Sequence, residues 1–205
     1  MTGRRIGAMV CSEVSSRRTS DNALALMAVL VIAVAFMHFN PLGMAKPLED
    51  VEVIGCDGQT VTLDGRKAEL LGLHNEARAE RDLGRLCLQE DLMAAAQGHA
   101  EDMIRRDFYA HETPEGLTPG DRITRAGYRF ATYGENNNRV SGGYEGEPGR
   151  DELREALDSW MESPGHRDNL LNPAFREVGI GISTGQYTPE IGTPTMYVVD
   201  FGARQ

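Results

Sequence analysis

Trp160-Met161-Glu162-Ser163-Pro164-Gly165-His166-Arg167-Asp168-Asn169-Leu170-Leu171 reads as the end of one helix, a break, and the start of another. Leu153, Ala156, Leu157 and Trp160 recur at helical spacing, which predicts a helix over 151–162 with one apolar face. Ser163 then stands as an N-cap ahead of Pro164 at the first helical position, so a short helix begins there and ends before Pro173. A serine at such a cap is expected to spend its oxygen on backbone donors. His166 falls at the third position of the new helix, where unpaired backbone donors disfavour an imidazolium and favour the neutral ring.

Working outward, a helix is expected over about 66–82, with Leu70, Leu73 or His74, and Ala77 on one face and Gly84 as its breaker. A second, over about 90–107, carries Leu92, Ala96, His99, Met103 and Ile104 and runs into Phe108-Tyr109-Ala110-His111. Asp121 is the candidate N-cap of a short helix reaching Ala126, with Gly127 ending it. Residues 128–133 are strand-like, Gly134-Glu135-Asn136 leaves that strand, and 137–149 read as a mobile surface loop. Val178, Ile180 and Ile182 alternate with Gly179, Gly181 and Ser183, a strand whose bare face lets a neighbour come close. The last strand, Thr195 to Phe201, sets Tyr197, Val199 and Phe201 against Met196, Val198 and Asp200. At the other end, Val51, Val53 and Val61, Leu63 flank Cys56-Asp57-Gly58, which reads as a hairpin. Helices flanking an antiparallel sheet fit this order.

Three polar blocks carry the chemistry: Phe108-Tyr109-Ala110-His111-Glu112, Tyr133-Gly134-Glu135-Asn136, and Ser163 to Asn169. If His111, Glu135 and His166 converge, two imidazoles and a carboxylate would suit a divalent metal, zinc above all, or acid–base work near neutral pH. The metal ligands would be His111 and His166, with Glu135 orienting an imidazole. A hydrogen-bonded polar core that only ties loops together is the competing reading. No residue stands out as catalytic. His-Glu-x-x-His is absent, no glycine elbow surrounds Ser163, and no cysteine lies in a histidine block. Two protein ligands also make a weaker site than the usual three. His74 and His99 sit at core-facing positions, as do Trp160 and Phe175. Asn136, Arg167 and Asn169 are expected to tie turns to backbone groups. Arg78 is expected to bridge to an acid or to the end of a strand.

Ala23 to Met37 is an unbroken apolar run behind a leader holding Arg4, Arg5, Arg17 and Arg18. That is the layout of a signal segment or an N-terminal membrane anchor, and either places the rest outside the cytoplasm. The chain divides into a basic leader (1–22), this segment (23–42), an arm (46–65) and one domain (66–205). Of 21 basic and 31 acidic residues, 4 and 2 lie in 1–45, leaving 17 against 29 and a net charge of −12 in 46–205. Such a field argues against nucleic acid or anionic lipid as partner. Cys56 and Cys87 are the only cysteines beyond the apolar run; they are expected to form a disulfide, with two separate thiols as the alternative.

From Leu70 to Gly202 the chain resembles the bacterial branch of the CAP/SCP superfamily of cysteine-rich secretory proteins, antigen 5 and pathogenesis-related 1. The blocks, in the family's order, are Leu73-His74-Asn75-Glu76-Ala77-Arg78, Phe108 to His111, Asp121-Arg122-Ile123 with Ala126-Gly127-Tyr128, and Gly134-Glu135-Asn136. Trp160 leading into Ser163 to Leu171, then Val178-Gly179-Ile180-Gly181 and Phe201-Gly202, complete them. The resemblance implies an α/β/α three-layer sandwich with a mostly antiparallel sheet, and a cleft of two histidines and two acids. His111, Glu135 and His166 take three of those places. The remaining acid would fall three residues after Trp160, where this chain has Ser163. Glu162, the fourth cleft candidate, lies about 100° away around the helix. The resemblance implies a binding or interaction protein for a small ligand, lipid or cell-envelope component, with metal-assisted hydrolysis of a peptide-like substrate as the alternative.

Overall fold

The computed structural model describes residues 48–142, 149–186, 188–190 and 192–205. The leader and the apolar segment at 23–42 lie outside the described residues. Among those described, no helix is long and apolar enough to cross a membrane.

β1 (Val51–Ile54) and β2 (Thr60–Leu63) form the expected hairpin, with Gly58 at φ +80° in its turn. α1 (Gly65–Ala79), β3 (Cys87–Leu88), α2 (Glu90–Arg106) and α3 (Pro119–Ala126) follow. Then come β4 (Phe130–Gly142), α4 (Arg150–Glu162), α5 (Pro164–Leu170), β5 (Glu177–Thr184) and β6 (Thr193–Arg204). The sheet runs β3-β5-β6-β4; only the β3–β5 pair is parallel. Helices cover both faces, giving the three-layer α/β/α sandwich.

The two faces are built differently. On one, Val178, Ile180, Tyr197, Val199 and Phe201 meet Leu70, Leu73, Leu153, Leu157 and Trp160 from α1 and α4 in one apolar cluster. On the other, glycine sets the spacing. A Cβ on Gly179 would lie 2.0 Å from the Leu92 carbonyl carbon, and one on Gly181 2.3 Å from that of Ala96, so α2 rests directly on the β5 backbone. The disulfide between Cys56 and Cys87 is present; it ties the hairpin to the start of β3, where the Cys56 N–H also donates to the Leu88 carbonyl.

Several local expectations are corrected. α1 ends at Ala79, and Asp82 rather than Gly84 takes the left-handed conformation, because the chain wraps back so that Arg78 can hold the Gly84 carbonyl. Among the described residues Arg78 meets no acid: it is buried and donates to the carbonyls of Gly84, Leu170, Asn172 and Phe175. α3 starts earlier, with Thr118 as N-cap and Asp121 as the reciprocal partner of a capping box. Ser163 is the N-cap of α5, yet its side chain makes no capping bond. The largest difference is β4. Gly134-Glu135-Asn136 lies inside this strand, and 137–142 continue it against β6 instead of forming a loop.

Candidate functional site

β4 is the edge strand, so the side chains on its two faces reach past its rim from opposite sides of the sheet. Glu135 and Asn137 point to the α2–α3 side and Asn136 to the α5 side, by the alternation of a strand. That is why an asparagine-rich run belongs here: an edge strand with polar partners on both faces needs donors on both. The outward carbonyls of the edge are also covered. Asn137 O accepts from Tyr109 Oη and Trp160 Nε1, both at 3.0 Å, and Glu135 O accepts from Asn169 Nδ2 at 3.2 Å.

On the α2–α3 side, His111 Nδ1 donates to Glu135 Oε1 at 2.7 Å, and Asn137 Nδ2 donates to the same oxygen at 3.2 Å. Arg122 of α3 pairs with Glu135 Oε2 and also donates to the His111 carbonyl at 2.8 Å. His99 Nε2 donates to the Ala110 carbonyl at 2.9 Å, fixing the backbone just before His111. The Glu135 side chain is 2% exposed and that of His111 50%. A buried carboxylate thus holds one ring nitrogen of an imidazole whose other nitrogen faces outward. Burial pushes the Glu135 carboxyl up, but the His111 bond and the Arg122 charge outweigh it and hold it below its ordinary value. The Glu135 bond raises His111.

α5 brings His166 to the same cleft from the opposite side. Asn136 Nδ2 donates to the His166 carbonyl at 2.8 Å, and Asn169 Nδ2 to Asn136 Oδ1 at 3.0 Å, so β4 carries the helix start. The His166 and His111 ring centres lie 6.2 Å apart. His166 is lowered by burial first and by the His111 charge second, which favours the neutral ring that a metal requires.

A zinc ion placed here would meet two imidazoles. Rings sharing one tetrahedral ion would have centres roughly 5 Å apart, about an ångström closer than these. Glu135 has both oxygens engaged, by His111, Asn137 and Arg122. Among the described residues, no group of three or more His, Cys, Asp or Glu side chains is placed to share an ion. Glu162 is exposed and lines a shallow groove on the outer face of α4 with Asp158 and Glu155. Among the described residues, no hydrogen bond or ion pair joins it to the cleft. His74 and His99 are buried, as expected of core histidines. Arg122 is the participant that reading the chain alone leaves without a role. Its signal is its place in Asp121-Arg122-Ile123, one of the blocks quoted from the sequence.

The profile of the cysteine-rich secretory protein family matches residues 71–201. Two Bacillus subtilis proteins are similar: the uncharacterized protein YkwD, 30% identical over 55% of this chain, and the uncharacterized membrane protein YlbC, 28% identical over 58%. The matched stretches span 40% and 32% of those proteins' lengths. An extracellular protein containing an SCP domain from Bacillus anthracis is 27% identical with a TM-score of 0.51, over 72% of this chain and 47% of that one. An outer surface protein from Borrelia burgdorferi, 20% identical with a TM-score of 0.54 over 77% of this chain and all of that one, shares the fold. With its blocks in order, its sandwich complete and its profile matched over most of its length, this chain belongs to the CAP, or cysteine-rich secretory protein, family.

Proposed function

We propose that this chain is an extracytoplasmic CAP-domain binding module whose cleft, between His111 and His166, takes a divalent ion weakly and with it a small ligand or cell-envelope component. The observation that carries the reading is the 2.7 Å bond from His111 Nδ1 to the buried Glu135. It fixes the tautomer and makes the other ring nitrogen a better ligand, on a ring whose centre lies 6.2 Å from that of His166. The extracytoplasmic placing is supported by the extracellular SCP-domain relative and by the arginine-led apolar segment, which acts as a secretory signal or a membrane anchor. A bound zinc ion would supply Lewis acidity, and His111 and His166 would hold it. Peptide hydrolysis is the weaker reading, since two imidazoles leave the ion poorly held and no nucleophile accompanies them.

Calorimetric titration of the chain with Zn²⁺ tests this. Binding is expected near neutral pH and should weaken as pH falls through the histidine range, about 6.5. His111→Ala and His166→Ala should each abolish most of it, and His99→Ala should leave it in place. No binding by the wild type, or unchanged binding in both cleft variants, would overturn the reading. Peptidase activity that appears only with metal would move the chain to the hydrolase class.

A further inference from the structure

Beneath the cleft lies a buried group that no part of the site so far uses. Asp200 on β6 is fully buried, and neither of its carboxyl oxygens has a hydrogen-bond partner among the described residues. It stands directly opposite Glu135 in the β4–β6 register, on the same face of the sheet. The Glu135 carbonyl turns outward to Asn169, so this is a narrow pair in which the two side chains are close, with Cα atoms about 4.5 Å apart. On its other flank Asp200 faces Gly179, which offers no side chain.

We propose that Asp200 is a positioning residue of the cleft: it donates a carboxyl O–H to Glu135 from below and so completes the donor set that fixes Glu135 against His111.

Lone-pair accounting supports this. A carboxylate offers about four acceptor sites. His111 and Asn137 occupy two on Oε1, and Arg122 takes one on Oε2, which leaves one on Oε2. Two ionised carboxylates in contact and out of water would repel each other at high cost, and among the described residues one arginine is bonded to the pair. That cation, Arg122, is committed to Glu135, and its Nε has no partner among the described residues, so it does not bond Asp200. The other titratable groups facing the pair are His99 of α2, whose proton sits on Nε2 toward Ala110, and Tyr128, which packs over Gly202 two residues along β6. Neither supplies a charge that would hold Asp200 ionised. Burial, and after it the Glu135 charge, push the Asp200 carboxyl well above its ordinary value, in keeping with a neutral acid.

The inference rests on His111 as the working imidazole of the proposed cleft, but its first test is independent of metal. In the full chain, the side-chain carboxyl ¹³C signal that vanishes in Asp200→Asn should have the shift of a neutral acid at pH 7. A signal of an ionised carboxylate there overturns the proposal, and would mean that Arg122 serves both acids. The second test separates positioning from packing. Asp200→Asn keeps a donor beneath Glu135 and should leave the His111 titration midpoint where the wild type has it. Asp200→Leu, of similar volume without a donor, should move that midpoint upward, because Glu135 then depends more on the His111 proton. Equal midpoints in all three chains overturn the positioning role. If Asp200→Leu does not fold, the carboxyl signal alone decides. Absent zinc binding with a neutral Asp200 would sink the metal reading and leave this one standing.

Discussion

His74 and His111 are both imidazoles on a polar block of the chain, and the two faces of one sheet make opposite things of them. His74 is fully buried on the α1–α4 face, packed tilted against Trp160 and Phe201, with Nδ1 donating to the Leu70 carbonyl one turn back. Burial drives its proton affinity down, to about 4. His111 keeps half its surface at the rim of the other face and rests on a carboxylate, which drives its affinity up. Desolvation without an anion yields a neutral structural ring; an anion beneath a half-open ring yields one that holds its proton more tightly. Arg78 and Arg122 repeat the contrast in part: the first bonds only backbone carbonyls among the described residues, while the second divides its donors between the His111 and Leu117 carbonyls and Glu135.

The largest way to break the comparison is Arg78→Met. It leaves four carbonyls without their donor, and stability should fall by more than about 3 kcal/mol in urea unfolding, with the cleft chemistry intact where the chain still folds. Next is acid. His74 has a depressed affinity in the fold, so the unfolded chain takes up the proton first, and stability drains away between about pH 6.5 and about 4, by roughly 3 kcal/mol in all. His74→Asn should flatten that part of a stability-against-pH curve even though it lowers stability at pH 8. His111 contributes with the opposite sign: its stabilisation is complete below the ordinary histidine value and lost as pH rises through the elevated one. Gly181→Ala presses a methyl group into the α2 backbone and should cost about 1–3 kcal/mol by thermal unfolding, since the helix must shift as a unit. Smallest in stability but sharpest in chemistry is Glu135→Gln. The amide keeps the shape without the charge, so the His111 midpoint should fall toward its ordinary value while that of His74 stays put.

Much of this is legible in the chain. The glycines of Val178-Gly179-Ile180-Gly181 announce a bare strand face, and the structure lays α2 on it. Ser163-Pro164 marks the start of α5, and the histidine blocks name both rings of the cleft. β4 is hidden past Glu135 because Asn136-Asn137-Asn138 has loop composition. Its strand character comes from pairing with β6, and its amides serve the clefts on either side, which local propensity does not encode. Arg122 and Asp200 escape notice for a related reason. Each looks ordinary until the fold sets Arg122 of α3 on Glu135 and the β4–β6 register sets Asp200 opposite it. Glu162 stands where counting around the helix puts it, about 100° from the place of the missing acid, and it is exposed.

One titration reads the central contrast directly. In the full chain, histidine ring signals followed by NMR from pH 8 to pH 4, and assigned through His74→Asn and His111→Ala, report both sites in the same sample. The account predicts that His111 protonates first, above the ordinary histidine value of about 6.5, and that His74 remains neutral until about pH 4. If both rings titrate together near the ordinary value, Glu135 does not hold His111, and the cleft is only a polar seam in the fold.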